Sequence, residues 1–120
     1  MRSLTSKMLG AVRTIQDGLR SLTTRQAEVA FIFGSVATGA ERPDSDIDLF
    51  VVGEATRFDL ADALGGPARE LGRTINPVAY SRPEIQRRLN GGDAFLQEVL
   101  SGTKQMVLGR TADLPQVHER

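Results

Sequence analysis

The hydrophobic positions near the start of the chain change from a helical to an extended pattern. Apolar side chains recur every three or four residues at Leu4, Met8, Val12, Ile15, Leu19 and Leu22. This spacing places them on one face of a helix, which we expect to run over residues 4–27. The apolar run at residues 29–33, rich in aromatic and branched side chains, predicts a buried strand.

The middle of the chain predicts two more strands and a helical region between them. Residues 47–52 form a second apolar, strand-like segment. Residues 58–72 have helical spacing, but the Gly-Gly-Pro sequence at 65–67 interrupts it, so we expect two short helices. Residues 74–80 predict a third strand. Because Pro77 lacks an N–H group, that strand should lie at a sheet edge or contain a bulge.

The last third of the chain predicts two short helices and a final strand. Ser81 stands three residues before Glu84, which is the spacing of a helix-capping pair. Gly91 should end that helix, Asp93 should cap the next one, and residues 105–108 predict the last strand. We therefore expect an α+β protein, in which helices pack on a small mixed β-sheet.

The same pattern divides the chain into three parts. We expect an N-terminal helix over residues 1–28, a folded core over 29–109 and a flexible C-terminal tail over 110–120. Before Asp17 the chain has basic but no acidic residues, a composition that transit peptides share. We prefer to interpret this segment as a structural helix, because its apolar residues fall on one helical face.

Composition narrows the class of protein. A length of 120 residues suits one domain, and the lack of cysteine excludes disulfides and cysteine-bound zinc. The 15 basic and 15 acidic residues balance, and a single N-terminal helix is no winged helix, so both observations argue against direct DNA binding. No apolar run approaches the roughly 20 residues that span a membrane, and we expect a cytoplasmic protein.

The candidate chemistry lies where the first strand ends and the second begins. Asp46 and Asp48 are two residues apart, so their carboxylates share one face. Neighbouring carboxylates repel, and Mg²⁺ is typically bound by such oxygens together with substrate phosphates. Gly34 allows close approach of a ligand, and Ser35 offers a hydroxyl and an N–H to phosphate oxygens. The combination predicts a site for a metal-bound nucleoside triphosphate.

These motifs resemble those of the DNA polymerase beta-like nucleotidyltransferase superfamily, and the short chain is similar to its minimal nucleotidyltransferases (MNT). The matching residues are Gly34-Ser35, Gly39 and Asp44-Ser45-Asp46-Ile47-Asp48. The resemblance implies that Gly34 and Ser35 bind the triphosphate, and that Asp46 and Asp48 are catalytic ligands of Mg²⁺, with Mn²⁺ as an alternative. The resemblance also implies a partner, because many MNT proteins are antitoxins encoded beside a HEPN-domain toxin. In those pairs, a tyrosine of the toxin is AMPylated.

One position departs from the family's pattern. The family usually supplies a third carboxylate from the next core strand, where this sequence has Asn76. An amide binds metal weakly and cannot act as a base. Glu70 and Asp93 are candidate replacements, but neither stands at the family position.

Two functions remain open from the sequence. The first is a Mg²⁺-dependent nucleotidyltransferase that transfers a nucleoside monophosphate, AMP by resemblance, from a nucleoside triphosphate to an acceptor hydroxyl. A HEPN-type partner or a second copy of the chain would complete its cleft, and the acceptor is a protein, a small molecule or an RNA end. The second is a catalytically weak or inactive nucleotide-binding, antitoxin or regulatory module, which Asn76 favours.

Overall fold

The computed structural model describes residues 5–34, 37 and 45–115, without the side chains of residues 5–8. Its elements follow in the order α1 (Thr5–Leu19), β1 (Val29–Phe33), β2 (Ile47–Val52), α2 (Arg57–Leu71), β3 (Ile75–Tyr80), α3 (Arg82–Asn90), α4 (Ala94–Ser101), β4 (Gln105–Leu108) and a 3-10 turn at Thr111–Asp113. The predicted α+β class is confirmed. In this part of the chain, no helix is long and apolar enough to cross a membrane.

The strands form one mixed sheet in the order β3-β2-β1-β4. β1 is antiparallel to both β2 and β4, whereas β2 and β3 are parallel. The carboxyl end of β1 therefore lies beside the amino ends of β2 and β3. Asp48 pairs with Phe33 on one side and with Asn76 on the other.

Each face of the sheet carries its own core. The aliphatic face contacts α1 and α2, whose buried residues include Ile15 and Leu60. The opposite face, here called the aromatic face, contacts α3 and α4 through Phe31 and Phe50, whose rings stack with centroids 5.0 Å apart. Because side chains two residues apart in a strand share a face, Asp48 belongs to the aromatic face with Phe50.

α1 ends at Leu19, eight residues before the predicted end of the helix at residue 27. After it, Ser21 and Leu22 donate backbone hydrogen bonds to carbonyls three residues earlier, as in a tight turn. Thr23 and Gln26 then exchange hydrogen bonds between their side chains and backbone N–H groups, at 2.8 and 3.1 Å. Such local bonds compete with helical ones, so the prediction of a longer helix was wrong.

The prediction of two short helices in α2 was also wrong. A capping box between Thr56 and Asp59 begins one continuous helix, and Gly72 with φ +67° ends it. Pro67 lies inside and has no N–H for the carbonyl of Ala63. α1 covers this point closely: a Cβ on Gly18 would lie 2.6 Å from Pro67 Cγ and 2.7 Å from the Ala63 oxygen. α1 therefore packs against α2 at the point where Pro67 removes a helical hydrogen bond, and α2 is continuous there.

β3 is an edge strand, as Pro77 predicted. The carbonyls of Thr74 and Tyr80 accept hydrogen bonds from the N–H groups of Ile47 and Gly53, at 2.8 and 3.0 Å. Because the direction of these bonds alternates along a strand, the nitrogen of Pro77 faces away from β2. The proline therefore removes no hydrogen bond from the sheet, and its pairing with β2 is continuous from 75 to 80.

The predicted N-caps of the last two helices are present, while the Glu84 carboxylate accepts from Arg88 Nε at 3.1 Å instead of completing a capping box with Ser81. The Ser81 hydroxyl accepts from Glu84 N at 3.3 Å, and the Asp93 carboxylate accepts from Leu96 N at 2.9 Å. Each bond satisfies a backbone donor that the first helical turn leaves unpaired.

The chain after β4 was expected to be a flexible tail. Its described part, residues 110–115, contains the 3-10 turn, and Leu114 is buried in the core of the aromatic face. Arg82 donates to the backbone carbonyl of Asp113 and forms an ion pair with Glu28 at 3.0 Å. This segment therefore packs on the fold, while residues 116–120, with His118, lie outside the described residues.

Candidate functional site

Four residues with predicted or implied roles lie at one end of the sheet. Gly34 follows β1, Asp46 precedes β2, and Asp48 and Asn76 pair across β2 and β3. Directly paired residues place their side chains on the same face. The register of the sheet therefore gathers these residues, which span 43 positions of sequence, in one place.

Gly34 contacts Asp48 closely. It has φ +80°, and a Cβ at this residue would lie 2.7 Å from Asp48 Oδ2. Both the backbone conformation and the contact require glycine. The sequence assigned Gly34 to phosphate binding, but its packing against the half-buried carboxylate of Asp48 was not anticipated.

Asp46 has a polar partner on the edge strand. Asn76 Nδ2 donates a hydrogen bond to Asp46 Oδ2 at 3.0 Å, and both side chains are exposed. An amide donor orients a carboxylate and stabilises its charge without adding a full positive charge. Asn76, predicted from its strand position to replace the third carboxylate, thus contacts the site directly.

Arg73 is a site neighbour to which the sequence assigned no role at this site. Its Nε and Nη2 atoms donate to the Ser45 carbonyl oxygen at 3.0 and 2.8 Å. Ser45 immediately precedes Asp46, so the segment between α2 and β3 holds the backbone that leads into the site. No spacing rule could have found this contact, because it joins residues 28 positions apart through a backbone carbonyl.

The two candidate replacements for the third carboxylate have other positions in the fold. Glu70 is on α2, which covers the aliphatic face. Asp93 caps α4 and forms an ion pair with Arg88 at 3.5 Å. Within residues 5–34, 37 and 45–115, no group of three histidine, aspartate or glutamate side chains is placed to hold a metal ion. Ser35, Gly39 and Asp44 lie outside the described residues.

The comparisons with known proteins agree with this architecture. The family described as "Polymerase beta, Nucleotidyltransferase" matches residues 15–81, more than half of the chain. No curated protein matches the sequence.

The fold is similar to one solved as a crystal structure of a toxin-antitoxin with AMP-PNP, with a TM-score of 0.57 and 23% identity. The similarity covers 85% of this chain and 76% of that one. At this identity, the likeness supports the fold. The family match over more than half of its length shows that the chain belongs to the polymerase beta-like nucleotidyltransferase family.

Proposed function

We propose that this protein is a Mg²⁺-dependent nucleotidyltransferase that transfers a nucleoside monophosphate from a nucleoside triphosphate to an acceptor hydroxyl. The observation that carries the proposal is the placement of both carboxylates at one end of the sheet: Asp48 packs against Gly34 and pairs with Asn76, which donates a hydrogen bond to Asp46. ATP is the favoured donor, because the structurally similar toxin-antitoxin was crystallised with AMP-PNP.

The carboxylates suit a divalent cation. Mg²⁺ is usually held by one or two carboxylates, and water and substrate phosphates complete its shell. Asp46 is exposed and Asp48 is half-buried, so oxygens of both can face a ligand at this edge. Bound there, the ion would neutralise charge on the triphosphate and on the departing pyrophosphate.

The proposed reaction is an in-line displacement at the α-phosphorus. The acceptor oxygen forms a new bond to this phosphorus, while the bond to the oxygen that bridges the α- and β-phosphates breaks. Pyrophosphate leaves with that electron pair, and the hydroxyl proton passes to a carboxylate or to water. The amide of Asn76 cannot accept this proton. We assign Asn76 the role of orienting Asp46, to which it donates its hydrogen bond at 3.0 Å.

A second chain would supply the acceptor. The likeness to a toxin-antitoxin favours a partner protein, and a HEPN-type toxin is the specific proposal. A second copy of this chain is the alternative. In either case the acceptor hydroxyl would approach the open end of the sheet at Asp46.

Calorimetric titration of ATP, with and without Mg²⁺, tests the nucleotide site. We expect Mg²⁺-dependent binding by the wild type and its loss in the Asp46→Asn/Asp48→Asn variant. Transfer of label from α-labelled ATP to the partner should also disappear in this variant. Persistence of binding and transfer would show that the assigned carboxylates are wrong.

A nucleotide-binding antitoxin or regulatory module with weak or no catalysis is the second candidate. Asn76 favours it, because an amide occupies the β3 position that pairs with Asp48. This function predicts neutralisation of the partner by stoichiometric contact. The Asp46→Asn/Asp48→Asn variant should then neutralise the partner as well as the wild type does, whereas an antitoxin that acts by transfer would lose this ability.

A further inference from the structure

Phe95, an aromatic side chain, is exposed on the face of the sheet that carries the carboxylates. It lies in the first turn of α4 and remains 42% exposed, although its neighbour Leu96 is fully buried. Its ring contacts Phe33 edge to face, with centroids 6.1 Å apart and planes at 74°. Phe33 is packed in turn against Phe31 and Phe50. The exposed ring is therefore supported from behind by the aromatic core.

This ring is close to the proposed nucleotide site. Phe33 immediately precedes Gly34 and pairs directly with Asp48 across β1 and β2. Side chains of such pairs stand about 5 Å apart on the same face. Phe95 is thus separated from the carboxylate end of the sheet by one side chain, that of Phe33.

The buried surface of α4 comes from residues other than Phe95. Leu96, Val99 and Leu100 supply the buried surface of this helix. Among the described residues, the other exposed large apolar side chains are Leu9 and Phe58, on α1 and α2. These helices cover the aliphatic face, so Phe95 is the exposed aromatic residue beside the site.

We propose that Phe95, supported by Phe33, is the surface on which the base of the bound nucleotide stacks. The inference rests on the proposed function, because it takes the phosphates to lie at Gly34, Asp46 and Asp48. Every nucleobase has an apolar π-face that can stack on an aromatic ring. Phenylalanine has no hydrogen-bonding group with which to read the base edge, so this surface discriminates little between ATP and the other nucleoside triphosphates.

The test separates the base from the phosphates. Calorimetry would measure Mg²⁺-dependent binding of ATP and of inorganic tripolyphosphate to the wild type and to Phe95→Ala, Phe95→Trp and Phe58→Ala. We expect Phe95→Ala to weaken ATP binding about tenfold, as lost base stacking does, and to leave tripolyphosphate binding unchanged. Phe95→Trp should retain ATP affinity. Phe58→Ala, which removes an exposed ring from α2, should change neither affinity.

Each outcome has a distinct meaning. Unchanged ATP binding in Phe95→Ala would overturn the stacking surface while the nucleotide site stands. Equal weakening of ATP binding and of tripolyphosphate binding would also overturn the stacking surface, because the loss of affinity would not depend on the base. If the wild type bound neither ligand, the proposed function would fail and the stacking surface with it. Circular dichroism and thermal unfolding of each variant would establish that the fold is retained.

Discussion

The carboxylate of Asp48 packs against the α-carbon of Gly34, so closely that a Cβ on residue 34 would lie 2.7 Å from Oδ2. This contact joins the residue that follows β1 to the second strand. The contact explains why residue 34 is a glycine without reference to a ligand, because any larger residue would displace the carboxylate. In the proposed site the same glycine has a second role, because its backbone can approach a phosphate group closely.

Gly34→Ala should therefore affect both stability and binding. An alanine at φ +80° costs about 1–3 kcal/mol in unfolding free energy, and its Cβ would move Asp48. We expect urea unfolding to show this loss and calorimetry to show weaker Mg²⁺-ATP binding. Gly66→Ala is the matched control, since nothing lies within 4 Å of its added Cβ. Wild-type behaviour of Gly34→Ala in both measurements would contradict the role of this contact.

Asn76→Asp would add a third carboxylate at the site. It replaces the amide that donates to Asp46 at 3.0 Å with a second negative charge, and the two would repel without a cation. We expect a lower melting temperature without Mg²⁺, a larger increase on adding Mg²⁺ than in the wild type, and faster label transfer. Asn76→Ala removes the hydrogen bond without adding charge. If Mg²⁺ left the melting temperatures of both variants unchanged, the prediction that a carboxylate at position 76 contacts a bound cation would be refuted.

Gly18→Ala tests the close contact between α1 and α2. The added Cβ would meet Pro67 Cγ at 2.6 Å and the Ala63 oxygen at 2.7 Å, so the helices must move apart. Overpacking of this kind costs about 1–3 kcal/mol in unfolding free energy. Gly10→Ala is the control in the same helix: no atom lies within 4 Å of its Cβ. There, alanine should stabilise the helix by up to about 1 kcal/mol. Equal stability of the two variants would show that the helices do not approach at Gly18.

Arg73→Lys tests whether the segment between α2 and β3 positions Asp46. Lysine keeps the charge but cannot reproduce the two-pronged hydrogen bond to the Ser45 carbonyl. We expect weaker Mg²⁺-ATP binding with a melting temperature within a few degrees of the wild type. Arg87→Lys, at an exposed position of α3, should leave binding unchanged. If the two variants bound ATP equally well, the Arg73 contact would have no role in the site.

The capping box of α2 should make stability sensitive to acid. A hydrogen bond from the Thr56 backbone N–H lowers the pKa of the Asp59 carboxyl below its ordinary range, and the Thr56 side chain adds to the effect. A lowered folded-state pKa stabilises the fold above the unfolded-state pKa, and this contribution is lost as the pH falls below about 4. Asp59→Asn should flatten the stability profile between pH 2 and 5 relative to the wild type. Parallel urea-unfolding profiles for the two proteins would contradict this assignment.

Much of the fold follows from local patterns in the sequence. The strands at residues 29–33, 47–52 and 105–108 have the predicted limits. A short apolar run between polar turns is typical of a buried strand, so the pattern indicates where each strand begins and ends. Pro77 predicted an edge strand, since a proline inside a sheet would remove a hydrogen bond. Asp46 and Asp48 could be paired from their spacing, because alternate residues of a strand share a face.

Other features depend on which elements contact each other in the fold. The order of the elements along the chain does not reveal those contacts. α2 continues through Pro67 where α1 packs over the break at Gly18, although the local sequence predicts an interruption. The sheet register pairs Asn76 with Asp48, and the Asn76 side chain donates a hydrogen bond to Asp46. The packing of α4 places an exposed Phe95 beside Phe33. Local spacing encodes the direction of a side chain along its own element. The partner of that side chain is decided by the packing of distant segments, because burial and hydrogen bonding are satisfied over the whole fold at once.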